Sequence, residues 1–179
     1  MKKLLIIITG LFMMVSAKAQ FTKASLQATG LTCAMCSNAI NKALEKLPFI
    51  ASVRSDIKNS AFKITFREGT EMEVDQIKKA VEDAGFGVGN LQITGSFDKV
   101  TVENDKHIRI GNRHFHFLNI SSQVLEGEQT ITMVDRDFLS AKQFRKFSSS
   151  TKMNCVNTGK AEGCCEAVEE NSRIYHVTI

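Results

Sequence analysis

The 179-residue sequence has no tryptophan and a single proline, Pro48. It also has no Ser/His/Asp set, phosphate-binding loop or paired-carboxylate signature of the kind that carries catalysis. Its lysines and arginines are scattered along the chain, so no basic stripe is available to a nucleic acid. After residue 19, no apolar run reaches the roughly twenty residues needed to cross a bilayer. These absences argue against an enzyme, a nucleic-acid-binding protein and a transmembrane mature chain.

The first part of the chain, residues 1–19, has the pattern of a secretory signal peptide. Lys2 and Lys3 precede an apolar run, and residues 16–19 read Ser-Ala-Lys-Ala, an Ala-x-Ala cleavage pattern. We predict cleavage after Ala19, because an apolar run of about twelve residues is too short for a membrane anchor. Removal of Lys2, Lys3 and Lys18 lowers the net charge from +4 by three, to about +1. We therefore expect a periplasmic and nearly neutral mature protein.

Residues 20–95 show helical and extended patterns in the order β-α-β-β-α-β. The predicted elements are strands at 26–29, 53–57, 61–66 and 88–94 and helices at 36–47 and 74–84. Pro48 ends the first helix, while Asp75 is the predicted cap of the second and Gly85 follows its end. This order predicts an α+β domain of the ferredoxin-like type, in which both helices cover one face of an antiparallel sheet.

Two cysteines stand where the first strand gives way to the first helix. Residues 30–36 read Gly-Leu-Thr-Cys-Ala-Met-Cys, with Thr32 as the expected N-cap. Near a helix N-terminus the unpaired N–H groups and the helix dipole favour a thiolate over a thiol. Two soft thiolates suit Cu(I) or Hg(II), which accept low coordination numbers, better than Zn(II), which prefers four ligands in a structural site. Cys33 and Cys36 are therefore the predicted metal ligands.

Residues 22–94 resemble a heavy-metal-associated domain, the small module of copper chaperones, copper-ATPase N-terminal repeats and the periplasmic mercury-binding protein. The resemblance is carried by residues 30–36, by the helix that follows them and by residues 81–86, which read Val-Glu-Asp-Ala-Gly-Phe. It implies that Cys33 and Cys36 bind the metal and that Phe86 lies on the neighbouring loop that shields them. Leu31 stands where the family usually has Met. The resemblance also implies a metal-transporting ATPase or an efflux protein at the membrane as partner.

The same cysteine pair is compatible with two other interpretations. A periplasmic thiol–disulfide oxidoreductase would use Cys33 and Cys36 for exchange, but such proteins usually place an aromatic residue before the pair and a proline inside it. Here the inner residues are Ala34 and Met35, and Pro48 is too distant to supply a cis-proline beside the thiols. A plain structural disulfide is the second alternative. Metal binding is the interpretation that the sequence favours.

Residues 96–179 differ in their sequence pattern from residues 20–95 and resemble no family that we recognise. Short β-like runs occur at 99–102, 107–110, 113–118, 129–134 and 173–179, and a helix is predicted at 140–147. Gly111-Asn112 is a predicted hairpin turn. We interpret this region as a second, β-rich domain that forms a small, partly closed barrel or sandwich of the OB-like type.

Two histidines in this region are candidate metal ligands. His114 and His116 alternate with Phe115 and Phe117, so a strand would place both imidazoles on one face. The favoured interpretation is nevertheless a polar, solvated strand face over a phenylalanine-lined core, since the sequence indicates no further ligands.

Three cysteines occur in a polar stretch at residues 151–170. A disulfide from Cys155 to Cys164 or Cys165 is the favoured prediction, because it would close a loop of about ten residues and stabilise it by about 2–3 kcal/mol. A second soft-metal site built from Cys155, Cys164 and Cys165 is the alternative. Such a site would be able to receive an ion from Cys33 and Cys36.

Overall fold

The computed structural model describes residues 20–31, 34–163, 165 and 168–179. Its strands are β1 Gln20–Thr29, β2 Ile50–Asp56, β3 Ala61–Phe66, β4 Gly87–Val102, β5 Lys106–Ile110, β6 Arg113–Phe117, β7 Gln123–Met133 and β8 Ile174–Thr178. Its helices are α1 Ala34–Glu45, α2 Val74–Asp83, α3 Ala141–Ser148 and α4 Cys155–Thr158, with single 3₁₀ turns at Ile57–Asn59 and Arg136–Phe138. Within these ranges, no helix combines the length and the apolar character that crossing a bilayer requires. The predicted signal peptide lies outside the described residues.

The first part of the sheet has the predicted β-α-β-β-α-β order. Strands β1 to β4 lie in the order β2-β3-β1-β4, and all their pairings are antiparallel. Helices α1 and α2 each bury one apolar face against this sheet, for example through Ile40 and Ile77. The predicted capping role of Asp75 is wrong, because Glu73 is the N-cap and makes no side-chain capping hydrogen bond. Asp75 lies inside the first turn, and its carboxylate accepts hydrogen bonds from Arg173 and Tyr175.

The long strand β4 joins this part of the sheet to the remainder of the chain. It pairs with β1 on one side and with β7 on the other, so that Gln92 stands opposite both Ser25 and Thr132. The predicted strands at 88–94 and 99–102 are both parts of β4. Between them the β4–β7 register shifts, and Lys99 has a positive φ of 49°. The polar interruption in the sequence pattern therefore corresponds to a β-bulge within β4.

The second half of the chain extends the same sheet. The order is β2-β3-β1-β4-β7-β8-β6-β5, with β8 antiparallel to β7 and parallel to β6. The separate OB-like barrel that we expected is not confirmed, because β7 continues the sheet from the edge of β4. Two local predictions are confirmed. Gly111 and Asn112 connect β5 and β6 as a hairpin, and the helix predicted at 140–147 is α3. Ser140 caps this helix in a capping box with Gln143.

The two faces of the second half are buried by different groups. Phe115, Phe117 and Tyr175 belong to the large apolar cluster that also contains the cores of β1, β3 and β4. Side chains alternate along a strand, so Ile174 and His176 point to the opposite face. There Ile174 packs with Cys155, Ala161 and Cys165, and α3 and α4 contribute a further small cluster through Phe144 and Val156. The segment around α4 therefore covers the face of the sheet that carries the histidines.

Candidate metal-binding sites

The start of α1 carries the described member of the predicted thiol pair. Cys36 is the third residue of α1 and is partly exposed. The N–H groups of the first helical turn have no partner within the helix, which favours negative charge at this position. Thr32 and Cys33 lie outside the described residues, so the geometry of the pair stays a prediction. Cys36 itself is partly exposed in the first turn of α1.

Phe86 lies beside the loop that carries this pair. The loop turns at Gly30 with a φ of +83°, and a Cβ atom added there would lie 3.9 Å from Phe86 Cδ1. Phe86 follows α2, where its N–H donates to the carbonyl oxygen of Val81 at 3.1 Å and Gly85 adopts a left-handed φ of 89°. Leu31 and Phe86 are both partly buried against the core. An aromatic ring therefore borders the loop on one side, as the resemblance implied.

Three histidines form a row across neighbouring strands of the second half. His107 on β5 stands opposite His116 on β6, and His116 stands opposite His176 on β8. Directly opposed residues share one face of a sheet, so the three imidazoles lie side by side. The ring centroids of His107 and His116 are 4.3 Å apart, and those of His116 and His176 are 5.2 Å apart. His116 and His176 are both fully buried.

Cys155 approaches this row from the first residue of α4. Its Sγ atom lies 3.6 Å from His107 Nε2 and 3.7 Å from His116 Nδ1. One ligand atom from each of the three residues falls within 4.8 Å of the other two. The structure thus gathers two imidazole nitrogens and one sulfur at a single point beneath α4.

Two carboxylates orient two of the imidazoles. His116 Nε2 donates to Asp105 Oδ1 at 2.9 Å, because a carboxylate accepts hydrogen bonds, and His116 Nδ1 is then the unprotonated nitrogen that faces Cys155. His176 Nδ1 donates to the buried Asp135 at 2.7 Å. His176 Nε2 is buried and has no hydrogen-bond partner among the described residues. Both rings are therefore fixed in one tautomer by a carboxylate.

Burial and neighbouring histidines favour the neutral form of His107 and His116. Burial, together with the neighbouring His107 and His176, lowers the pKa of His116 to about 4. Burial and the nearby His176 also lower the pKa of His107 below its ordinary value. Neutral imidazoles retain a nitrogen lone pair near neutral pH, which is the form that binds metal ions.

We expected His114 and His116 to lie on a solvated strand face, and this prediction is wrong for His116. That side chain is fully buried, since α4 covers the strand face that we expected to be solvated. His114 lies apart from the cluster, in a cavity of about 460 Å³ lined in part by Arg109, Arg113 and Tyr175, and burial lowers its pKa. The partner of His116 is His107, which we did not consider. A two-residue turn at 111–112 already places residues 107 and 116 opposite each other, and that signal was present in the sequence.

Of the three later cysteines, the structure describes Cys155 and Cys165. Cys155 and Cys165 are buried in one small apolar cluster with Ala161 and Ile174. Cys164 lies outside the described residues, so the disulfide and the all-thiol metal site both stay predictions. Among the described residues, His107 Nε2 and His116 Nδ1 lie 3.6 Å and 3.7 Å from Cys155 Sγ.

Comparison with known proteins identifies the first part of the chain. The family model described as "Heavy-metal-associated domain" matches residues 25–87. The copper chaperone CopZ of Staphylococcus haemolyticus is 34% identical over 59 residues, which make up 33% of this chain and 85% of the chaperone. The chain therefore belongs to the heavy-metal-associated domain family.

Two further relatives show how the similarity is distributed. The probable copper-transporting ATPase HMA5 of Arabidopsis thaliana is 34% identical over 65 residues, and these span 36% of this chain but 6% of the ATPase. A solved CopZ metallochaperone is 25% identical, with a TM-score of 0.35, and the match covers 37% of this chain and 98% of that one. Residues 96–179, with the histidine row, lie beyond the region that the family model matches.

Proposed function

We propose that this protein binds Cu(I) through Cys33 and Cys36 and passes the ion to the thiols of a partner protein. The observation that carries the proposal is the position of Cys36, partly exposed on the first turn of α1 in a domain of the heavy-metal-associated family. The relatives named above are a copper chaperone and a probable copper-transporting ATPase.

The chemistry of transfer follows from the donor set. Two thiolates satisfy Cu(I), and a two-coordinate ion leaves room for a third, incoming sulfur. Exposure of Cys36 gives a partner's thiolate a path to the ion, while Phe86 borders the other side of the loop. No catalytic base is needed, so the proposal is for a carrier and not for an enzyme. Hg(II) would bind the same pair, and Zn(II) would bind it less well because it prefers four ligands.

The setting of this transfer is also a proposal. The signal-peptide pattern of residues 1–19 supports export to the periplasm, and the family supports a metal-transporting ATPase or an efflux protein at the membrane as partner. The scattered charges of the chain offer no surface for a nucleic acid.

Native mass spectrometry of the reduced protein, loaded anaerobically with Cu(I) in the presence of a weak competing chelator, tests the first site. We expect the Cys33→Ser/Cys36→Ser double variant to bind one copper ion fewer than the parent protein. A Cys165→Ser variant is the matched control and should keep that ion.

Two results would contradict this proposal. One is an unchanged copper count in the double variant. The other is a parent protein that retains no copper against the chelator. Rapid reduction of insulin that depends on Cys33 would support the thiol–disulfide oxidoreductase instead.

A further inference from the structure

We propose that His107, His116 and Cys155 form a second metal site, for a copper or zinc ion, inside the second half of the sheet. This site lies outside the residues that the family model matches. It contains neither Cys33 nor Cys36, so it does not depend on the function proposed above.

The distances between the donor atoms fit a shared ion. A metal ion about 2.0–2.1 Å from an imidazole nitrogen and about 2.3 Å from a thiolate, with a tetrahedral angle, sets the N···S separation at about 3.6 Å. The Sγ atom of Cys155 lies 3.6 Å and 3.7 Å from the two histidine nitrogens. An ion can therefore enter between the three side chains with little rearrangement.

A carboxylate holds one of the donor histidines in the way that is typical of metal sites in proteins. A metal-binding histidine generally donates its other ring N–H to a carboxylate, which fixes the ring and raises its basicity. Asp105 accepts such a bond from His116 at 2.9 Å. Asp105 has a left-handed φ of 59°, an unusual conformation for a residue other than glycine, and in this conformation its carboxylate reaches the ring.

His176 provides an independent indication of a ligand. Asp135 accepts a hydrogen bond from Nδ1–H, so the lone pair of Nε2 is buried without a partner among the described residues. A buried polar atom without a hydrogen-bond partner destabilises the folded state. His176 is the third member of the histidine row and lies beside His116, outside the three-residue group whose ligand atoms fall within 4.8 Å of one another.

The donor set also narrows the choice of ion. Two neutral imidazoles and one sulfur suit zinc and copper, whereas calcium and magnesium prefer oxygen ligands. The alternative without metal is a hydrogen-bonded cluster in which the thiol lies between the two rings. A third possibility is a metal held by the cysteines alone. The three arrangements differ in whether the histidines are needed for metal binding.

Titration with Co(II) under anaerobic, reducing conditions separates them. Cobalt replaces zinc and gives thiolate charge-transfer absorption together with d–d bands that report its geometry. The Cys33→Ser/Cys36→Ser protein is the starting point, so the first site cannot contribute. We expect one equivalent of Co(II) with both spectral features. Cys155→Ser should abolish the charge-transfer band, and His107→Gln should weaken binding by more than about tenfold.

A matched control is available on the same strand. His114 lies two residues before His116 but outside the cluster, so His114→Gln should leave the Co(II) affinity and spectrum unchanged. His107 is only half-buried, which makes His107→Gln the histidine variant that best preserves the fold. Circular dichroism before titration confirms that each variant is folded.

Two outcomes would overturn the proposal. If the folded, reduced protein binds no Co(II), Zn(II) or Cu(I) beyond the first site, the cluster is a hydrogen-bonded structural element. If His107→Gln and His116→Gln bind Co(II) with the affinity and bands of the parent, the cysteines hold the ion without the histidines.

Discussion

The two halves of this sheet present sulfur to their surroundings in opposite ways. In the first half, Cys36 is partly exposed in the first turn of α1. In the second half, Cys155 is fully buried at the start of α4 and faces the imidazoles of His107 and His116. An accessible donor pair lets a partner attack the bound ion, whereas a covered donor set slows exchange. Of the two proposed sites, the first would therefore leave a bound ion accessible to a partner, and the second would cover it.

The comparison assumes that both halves belong to one folding unit, and core truncation is the strongest test of that assumption. Phe115 on β6 and Phe62 on β3 are both fully buried in the same apolar cluster. We expect Phe115→Ala and Phe62→Ala each to lower the free energy of unfolding by about 3–5 kcal/mol. Urea denaturation followed by circular dichroism should show one shared transition in both variants. Two separate transitions, of which Phe115→Ala moves only one, would show that the halves unfold independently.

The contact between β1 and β4 near the junction gives a smaller effect. A Cβ atom added at Gly95 would lie 2.9 Å from Phe21 Cδ1 and 3.0 Å from the Gln20 carbonyl oxygen. We therefore expect Gly95→Ala to lower the free energy of unfolding by about 1–3 kcal/mol, because the backbone of β1 must move. The urea midpoint measures this loss. Gly163→Ala is the control, since a Cβ atom there meets no described residue within 4 Å, and an equal loss in both variants would contradict the packing argument.

The smallest expected effect concerns Asp75 of α2, which connects the two halves. Its carboxylate accepts hydrogen bonds from Arg173 at 3.2 Å and from Tyr175 Oη at 3.2 Å. Burial and the charge of Asp75 raise the pKa of Tyr175 above its ordinary value. Above about pH 10 the folded protein thus holds a proton that the unfolded chain has lost. The stabilisation is complete below that pH and declines as the pH rises further.

Replacement of Asp75 tests this connection directly. Tyr175 is the only tyrosine and the chain has no tryptophan, so tyrosinate absorbance reports that one residue. We expect Asp75→Asn to lower the pKa of Tyr175 while burial still keeps it above the ordinary value. Asp83→Asn, at the other end of α2 and paired with Lys79, should leave the titration unchanged. If Tyr175 titrates identically in the Asp75→Asn variant and the parent protein, Asp75 does not raise the pKa of Tyr175.

Local signals in the sequence predicted much of this structure. The bounds of β3 agree with the alternation of Phe62, Ile64 and Phe66, and the helix at residue 141 begins where Ser140 and Gln143 form a capping box. The hairpin at Gly111 and Asn112 was likewise predictable from two residues. Each of these features depends on neighbours within a few positions along the chain.

The features that sequence reasoning missed depend on distant pairings. The bulge at Lys99 interrupts the alternation within β4, so one strand was predicted as two with a boundary between them. His116 was expected to face solvent because its cover, α4, lies 39 positions later in the chain. Likewise the pairing of His116 with His176 on β8 has no local signature. Composition and periodicity do not reveal which distant segment will close over a strand face.

The position of β4 has a consequence for what can join this sheet. A four-stranded sheet in the order β2-β3-β1-β4 would expose the unpaired backbone groups of β4, and such an open edge invites another strand to add itself. Here β7 already occupies that edge, so among the described strands the free edges are β2 and β5. The edge strand β5 carries Lys106 and Arg109, charges of the kind that discourage strand addition. A chain shortened to the family-like region would lose this cover and expose the backbone groups of β4.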